Sequence, residues 1–116
     1  MIKDNTNNAN LNFYKENILD KMLYVKTSEG NVIPMFIINI EENLNEGEFG
    51  TYTVSTFDVE NNLMKKYTHI KKRWFDLAIL ACQPENLGTY VKITKLNIKR
   101  YDKSYEDGDS YAIMAL

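Results

Sequence analysis

One helix-patterned segment enclosed by strand-patterned segments is the feature that most limits the fold of this chain. Residues 72–82 (KRWFDLAILAC) contain neither Gly nor Pro, and Pro84 follows at a distance typical of a helix end. The apolar side chains of this segment share one stripe at helical spacing, which consists of Trp74, Leu77, Ala78 and Ala81. Both flanks alternate with a period of two. The sequence therefore predicts a mainly β domain with one internal helix.

Three strand-like segments lie directly before this helix. Residues 32–41 (VIPMFIINIE) form a continuous apolar run, and Pro34 predicts an edge or a bulge near its start. Residues 49–59 (FGTYTVSTFDV) and 63–70 (LMKKYTHI) are rich in residues that suit a pleated surface. The turn-forming ENN at 60–62 separates them, which predicts a β-hairpin.

The remaining segments complete the predicted order of three strands, one helix and two strands. Residues 88–98 (GTYVKITKLNI) alternate, 99–109 form a charged loop, and 110–116 (SYAIMAL) form a final strand. Nearer the start, residues 22–28 alternate only moderately, and the EGN at 29–31 indicates a turn.

The N-terminal part is predicted to be a separate segment, residues 1–23, that precedes a domain of residues 24–116. Residues 1–10 are polar, and we interpret them as a frayed tail. In 11–23 (LNFYKENILDKML), apolar residues such as Tyr14 and Ile18 are near helical spacing, which favours a short amphipathic helix. We expect this helix to cap the sheet domain; binding a partner is the alternative.

Composition favours one globular domain. The chain has 116 residues, of which 44% are hydrophobic. Its formal net charge is −2, but five cations and no acid fall in the ten residues 65–74. Acids gather at 41–48 and 106–109 instead, so a weakly acidic chain can still carry a basic stripe on one face.

The few soft ligands limit metal and disulfide chemistry. Cys82 is the single cysteine, which excludes an internal disulfide, and His69 is the single histidine. We expect no metal, no cofactor and a reducing, cytoplasmic location. No apolar run approaches the roughly 20 residues of a membrane helix, and the start lacks a secretory pattern.

The element order is that of the OB fold, a five-stranded Greek-key barrel with its helix between strands three and four. Three stretches resemble small phage and plasmid single-stranded-DNA-binding proteins with this fold: TFDVENNLMKKYT (56–68), IKKRWFDLAIL (70–80) and PENLGTYVKITKL (84–96). They lie within the stretch from Tyr52 to Leu96, which covers somewhat under half the chain. The resemblance implies an all-β OB barrel that coats exposed strand during replication or recombination. It also implies single-stranded DNA, or RNA, and replication proteins as partners. The loop after residue 96 departs from the pattern, since it is longer and acidic.

Single-stranded nucleic acid needs flat partners for its bases and cations for its phosphates. Tyr52 and Tyr67 are the first stacking candidates, although each could instead be a core tyrosine. Cations at the N-terminus of a helix are destabilised by the positive end of the helix dipole. A phosphate bound nearby would explain why cations are placed there. The complete candidate set is Tyr52, Lys66, Tyr67, Lys71, Lys72, Arg73, Lys92, Lys95, Lys99, Arg100 and Tyr101.

Catalytic motifs are missing from the sequence. It contains no Gly-rich phosphate loop, no His-Glu zinc motif and no serine elbow. We therefore expect a binding protein rather than an enzyme. The alternative function is a protein-binding module, such as a small phage-encoded inhibitor or adaptor. Inward-pointing tyrosines at positions 52 and 67 would favour that alternative.

Overall fold

The computed structural model describes residues 2–47, 49–92 and 111–116, with side chains described from residue 9 onward. The described part is mostly β, with two α-helices and five strands. Their bounds, in chain order, are α1 Ile2–Ile18, β1 Met22–Thr27, β2 Val32–Glu42, β3 Thr51–Asp58, β4 Leu63–Lys71, α2 Lys72–Ala81 and β5 Tyr111–Ala115. A short 3-10 helix, Pro84–Asn86, follows α2.

All five strands belong to one antiparallel sheet in the order β4-β3-β2-β1-β5. The mainly β class and the internal helix are confirmed, but the barrel is wrong, because this sheet is open. Among the described strands β5 pairs with β1, which leaves β4 and β5 as the two edges. Exposed Lys65, Lys66 and Lys71 line the β4 edge, and lysines on an edge strand disfavour further strand pairing.

The predicted distribution of strands around the helix is also wrong. Four strands precede α2, because the moderate alternation at 22–28 is a complete strand that buries Leu23 and Val25. In the predicted strand 88–98, the described residues 88–92 form no regular strand: Val91 makes an isolated bridge to Ile113, and the Gly88 N–H donates to the Ala115 carbonyl at 2.7 Å. Residues 93–98 and the predicted loop 99–109 lie outside the described residues.

Both predicted turns are confirmed, and each uses a left-handed residue. Gly30 has φ of 90° between β1 and β2, and Asn62 has φ of 54° between β3 and β4. In the second turn the Asp58 carboxylate accepts hydrogen bonds from the backbone and side-chain nitrogens of Asn61, at 3.2 and 2.8 Å. These bonds lower the pKa of Asp58, because they stabilise the charged carboxylate.

The N-terminal helix starts earlier and ends earlier than predicted. It begins at Ile2, within the expected tail, and ends at Ile18, while Met22 and Leu23 belong to β1. Asp20, with φ of 64°, turns the chain away from the helix. The predicted spacing is confirmed where it matters for packing, since Tyr14 and Ile18 are both buried.

The core lies between the sheet and the two helices, on the side that we call the helix face. α1 packs on β2 and α2, while α2 packs on β5 and β4. The predicted stripe of α2 is confirmed, because Trp74, Leu77, Ala78 and Ala81 are all buried. Strand side chains that meet these helices include Leu23, Val25, Met35, Ile37, Ile40, Tyr52, Val54, Ile113 and Ala115.

No described helix covers the opposite side of the sheet, which we call the open face. Side chains alternate along each strand, and directly paired residues share a face. The register therefore assigns the open-face positions, which are Met22, Tyr24, Lys26, Val32, Pro34, Phe36, Asn39, Glu41, Thr51, Thr53, Ser55, Phe57, Met64, Lys66, Lys71, Ala112 and Met114.

Candidate nucleic-acid interface

Tyr52 lies in the core and offers no surface to a base. It is 5% exposed, and its ring contacts Phe75 and Tyr14 edge-on at centroid distances of 5.1 and 5.3 Å. Tyr14 in turn stacks on Phe75 at 4.3 Å. The predicted stacking role of Tyr52 does not fit this conformation, because β3 directs its odd and even residues to opposite faces and position 52 faces the helices.

Burial also sets the acidity of this tyrosine. It raises the pKa of Tyr52 to about 12, with smaller contributions from the nearby Tyr14 and Glu42. A hydrogen bond between the Tyr52 and Tyr14 hydroxyls adds to the raised pKa of Tyr52 and acts to lower the pKa of Tyr14. Burial nevertheless raises the pKa of Tyr14 as well. Both hydroxyls therefore remain protonated at neutral pH.

Tyr67 is half-buried on the helix face, directly opposite Val54. Its ring packs against the core, so the two predicted stacking residues do not line an exposed groove with the cations.

The cations at the β4–α2 junction come together as predicted. β4 ends at Lys71 and α2 begins at Lys72, so Lys71, Lys72 and Arg73 follow one another around a sharp change of direction. They line one side of an open cleft of about 440 Å³. The other residues of the cleft are Phe49, Gly50, Thr51 and Asp76.

The electrostatics of this cleft are unusual for a helix start. The first turn of α2 contains no acidic residue, and no side chain caps its N-terminus. The positive end of the helix dipole therefore adds to the positive charge of the three side chains. Asp76 partly offsets this charge, since Lys72 Nζ lies 2.9 Å from an Asp76 carboxylate oxygen in an exposed ion pair.

Phe49 is a candidate that the sequence did not reveal. Its side chain is 71% exposed and lines the cleft beside the cations. The sequence predicts it at the start of a strand, but β3 begins only at Thr51, after a turn in which Gly50 has φ of 83°. One sequence feature could have revealed Phe49. It is an aromatic residue directly before a glycine, and it follows an acidic loop that cannot bury it.

Lys66 extends the cationic surface along the open face. It pairs with Ser55, while Lys71 pairs with Thr51, so both lysines share this face. On the other side of β3, Asn43 Nδ2 donates to Thr51 Oγ1 at 2.9 Å and Asn43 Oδ1 accepts from the Thr53 hydroxyl at 2.8 Å, which holds these polar side chains in place. We call the set Lys66, Lys71, Lys72 and Arg73 the basic end.

The other predicted cations do not join the basic end. Lys92 follows the bridge beside β5, at the opposite edge of the sheet. Lys65, a cation of the same run that is not among the predicted site residues, is on the helix face, 3.7 Å from Asp58. The predicted Lys95, Lys99, Arg100 and Tyr101 lie outside the described residues.

Three further observations concern the class of protein. Within residues 2–47, 49–92 and 111–116, no three His, Cys, Asp or Glu side chains are arranged to hold a metal ion. No helix in the same ranges has the length and apolar character needed to cross a membrane. No known protein family, curated protein or solved structure matches the chain.

Proposed function

We propose that this protein binds single-stranded DNA at the basic end, as a non-enzymatic protein that coats exposed strand during phage or plasmid DNA replication. The observation that carries the proposal is the cleft where Lys71, Lys72 and Arg73 lie beside the exposed ring of Phe49. A cationic track with a stacking surface is the combination that sequence-tolerant binding of single strands requires. RNA offers the same two features and is the competing ligand.

Each part of the basic end has a distinct role in this proposal. Phosphates lie against Lys71, Lys72 and Arg73, where the start of α2 adds its dipole. One base stacks on Phe49, and the strand then crosses the open face toward Lys66. The carboxylate of Asp76 disfavours deep entry of a phosphate and so confines it to the outer part of the cleft.

Because the sheet is open, a resemblance to OB-fold proteins does not support the proposal. The proposal therefore rests on the candidate site alone. The orientation of both tyrosines favours the alternative, a protein-binding module: Tyr52 lies in the core and Tyr67 packs against it, so neither shares a groove with the cations. The nucleic-acid function is preferred because Phe49 takes the aromatic position that Tyr52 does not.

Binding of a fluorescent, mixed-sequence 30-mer single strand, compared with its duplex over a salt series, tests the proposal. Four cations that neutralise four phosphates would give a slope of about −2.8 in log K against log salt. Raising salt fourfold would then weaken binding by roughly 50-fold. Phe49→Ala should weaken binding by about 5- to 150-fold, which corresponds to the loss of one stacked base.

Matched triple variants locate the interface. Replacing Lys71, Lys72 and Arg73 by Ala should reduce the salt slope to about −0.7, the value for the remaining lysine. The control replaces three exposed lysines away from the basic end, namely Lys21, Lys26 and Lys92. Equal losses in both variants would refute this interface. No binding of the wild-type chain to either DNA or RNA strand at low salt would refute the function itself.

A further inference from the structure

His69 has an unusual backbone conformation for a residue within a strand. Its φ is 61°, in the left-handed region, although it belongs to β4. Among the described residues, the other non-glycine positions with a positive φ are Asp20 and Asn62, and both lie in turns. The left-handed conformation is strained for a residue with a Cβ atom, even though histidine tolerates it better than most. Strained positions of this kind are concentrated at functional sites.

The left-handed φ belongs to a β-bulge in β4. Position 52 of β3 pairs with position 70, and position 54 pairs with position 67. Two residues, Thr68 and His69, therefore oppose the single residue Thr53. Because of this extra residue, Tyr67 and Ile70 both pack against the core although they are three positions apart. A regular strand would direct them to opposite faces.

The bulge places the imidazole of His69 on the open face. Thr68 Oγ1 lies 3.3 Å from His69 Nδ1, and both residues are exposed. Consecutive side chains of a regular strand point in opposite directions and would not make this contact. The residues on either side of the bulge face the core, and Thr53 is an open-face position, so the Thr68 and His69 side chains lie on the open side of β4.

The imidazole fills a gap in the basic end. Lys66 and Lys71 oppose positions 55 and 51 of β3, and the bulge opposes position 53, midway between them. Since β3 rises about 3.4 Å per residue, the two lysines are anchored about 14 Å apart. That separation exceeds the Debye length of about 8–10 Å at physiological salt. A phosphate midway between the two lysines is therefore largely screened from both.

We propose that His69 is a nucleic-acid contact, and that its positive charge strengthens the binding of single strands as the pH falls below neutral. The inference rests on the proposed function, because a strand that runs from the cleft to Lys66 must cross the bulge. Histidine is the side chain that ordinarily gains its charge between about pH 8 and pH 5. His69 is the single histidine of the chain, so no second imidazole contributes to the response.

The groups around the imidazole keep their charge over this range. Lys66 and Lys71 flank it on β4, and the neighbouring strand β3 presents uncharged side chains at positions 51, 53 and 55. Glu41 lies one strand further, opposite Thr53, and the cleft with Asp76 lies beyond Lys71. Lysines and carboxylates ordinarily titrate above pH 10 and below pH 5. The ring is therefore the group on this path whose charge changes between pH 8 and pH 5.5.

The expected effect has the size of one added phosphate contact. Such a contact steepens the slope of log K against log salt by about 0.7, from about −2.8 to about −3.5. At 0.1 M salt it strengthens binding about fivefold. The fluorescent 30-mer, titrated with the full chain at pH 8 and at pH 5.5, should show both changes.

Two matched variants separate the charge of the side chain from the shape of the bulge. His69→Asn stays uncharged at both pH values, and asparagine tolerates the left-handed region. His69→Lys stays charged at both. The Asn variant should give a slope of about −2.8 at pH 8 and at pH 5.5, and the Lys variant about −3.5 at both. Far-UV circular dichroism compares the folding of the three proteins at each pH.

Proton NMR of the imidazole tests the same contact in the wild-type chain. A single histidine gives a resonance that needs no assignment. Adding an unlabelled single strand should raise the pH midpoint of this resonance by about 0.7 unit, because a fivefold preference of the strand for the charged form appears equally in proton binding.

The outcomes distinguish this inference from the proposed function. If the wild type binds with the same affinity and slope at both pH values, if the Asn variant keeps the full pH response, or if the strand leaves the midpoint unchanged, His69 is not a contact and the proposed function stands. If neither DNA nor RNA strands bind at either pH, both are overturned.

Discussion

Alkaline pH should destabilise this protein through the buried tyrosine pair. The pKa of Tyr52 is raised to about 12 in the folded chain, from an ordinary value of 10.0. The folded state therefore holds this proton more tightly than the unfolded state does. The resulting stabilisation is fully present below pH 10 and is lost as the pH rises through 12.

The magnitude follows from the two pKa values. Each unit of difference corresponds to about 1.4 kcal/mol, so the folded chain should lose about 1–3 kcal/mol of unfolding free energy in total, the lower value applying where solvent screens part of the effect. About half of that loss should be present at pH 11, where urea unfolding can still be measured. Tyr14, whose pKa burial also raises, adds a loss in the same direction.

The double variant Tyr14→Phe, Tyr52→Phe isolates this effect. Replacing both hydrogen-bonded hydroxyls together leaves no unpaired group, so the variant should match the wild type closely at pH 7. Urea unfolding, followed through the fluorescence of buried Trp74, should be compared from pH 8 to pH 11. The wild type should lose about 1 kcal/mol relative to the variant between these two pH values. Parallel pH profiles would refute the buried pair as the cause.

Two further predictions concern a turn and the single thiol. Gly30→Ala should lower the unfolding free energy in urea titrations by about 1–2 kcal/mol. The φ angle of Gly30 is 90°, which strains any residue with a Cβ atom, and the added Cβ would meet no other atom, so backbone strain is the whole cost. The control Ser28→Ala, at an exposed position of the same turn, should change it by less than about 0.5 kcal/mol, and equal costs would contradict the argument. Burial raises the pKa of Cys82, so the pH midpoint of its alkylation by iodoacetamide should lie higher in the folded chain than in urea. An equal or lower midpoint in the folded chain would count against burial of the thiol.

The local sequence pattern predicted the positions of helices and turns better than it predicted which strands pair. Helix α2 ends within one residue of the prediction, because its stripe, its lack of Gly and the following Pro84 all act locally. The two turns were equally local. The moderate alternation at 22–28 concealed a central strand, since its stability comes from pairing with β2 and β5 on its two sides. Of these partners β5 is distant in sequence, and its pairing leaves no local pattern at 22–28.

The candidate site was predicted in part for the same reason. Cations that are adjacent in sequence stay close together in any fold. Lys71, Lys72 and Arg73 accordingly line one cleft. The orientation of a tyrosine in a strand depends instead on register. A shift of one residue exchanges the two faces, so the sequence could not decide whether Tyr52 faces the core or the solvent.

The position of β5 beside β1 has a consequence for how quickly the fold forms. The three hairpins from β1 to β4 join neighbouring segments, and contacts of that kind form early at low entropic cost. The pairing of Leu23 with Ala115 instead joins residues from near the two ends of the sequence. Contacts this distant raise the relative contact order and slow folding. The rate-limiting step should therefore be the arrival of β5, which also delivers Ile113 to the space beneath α2.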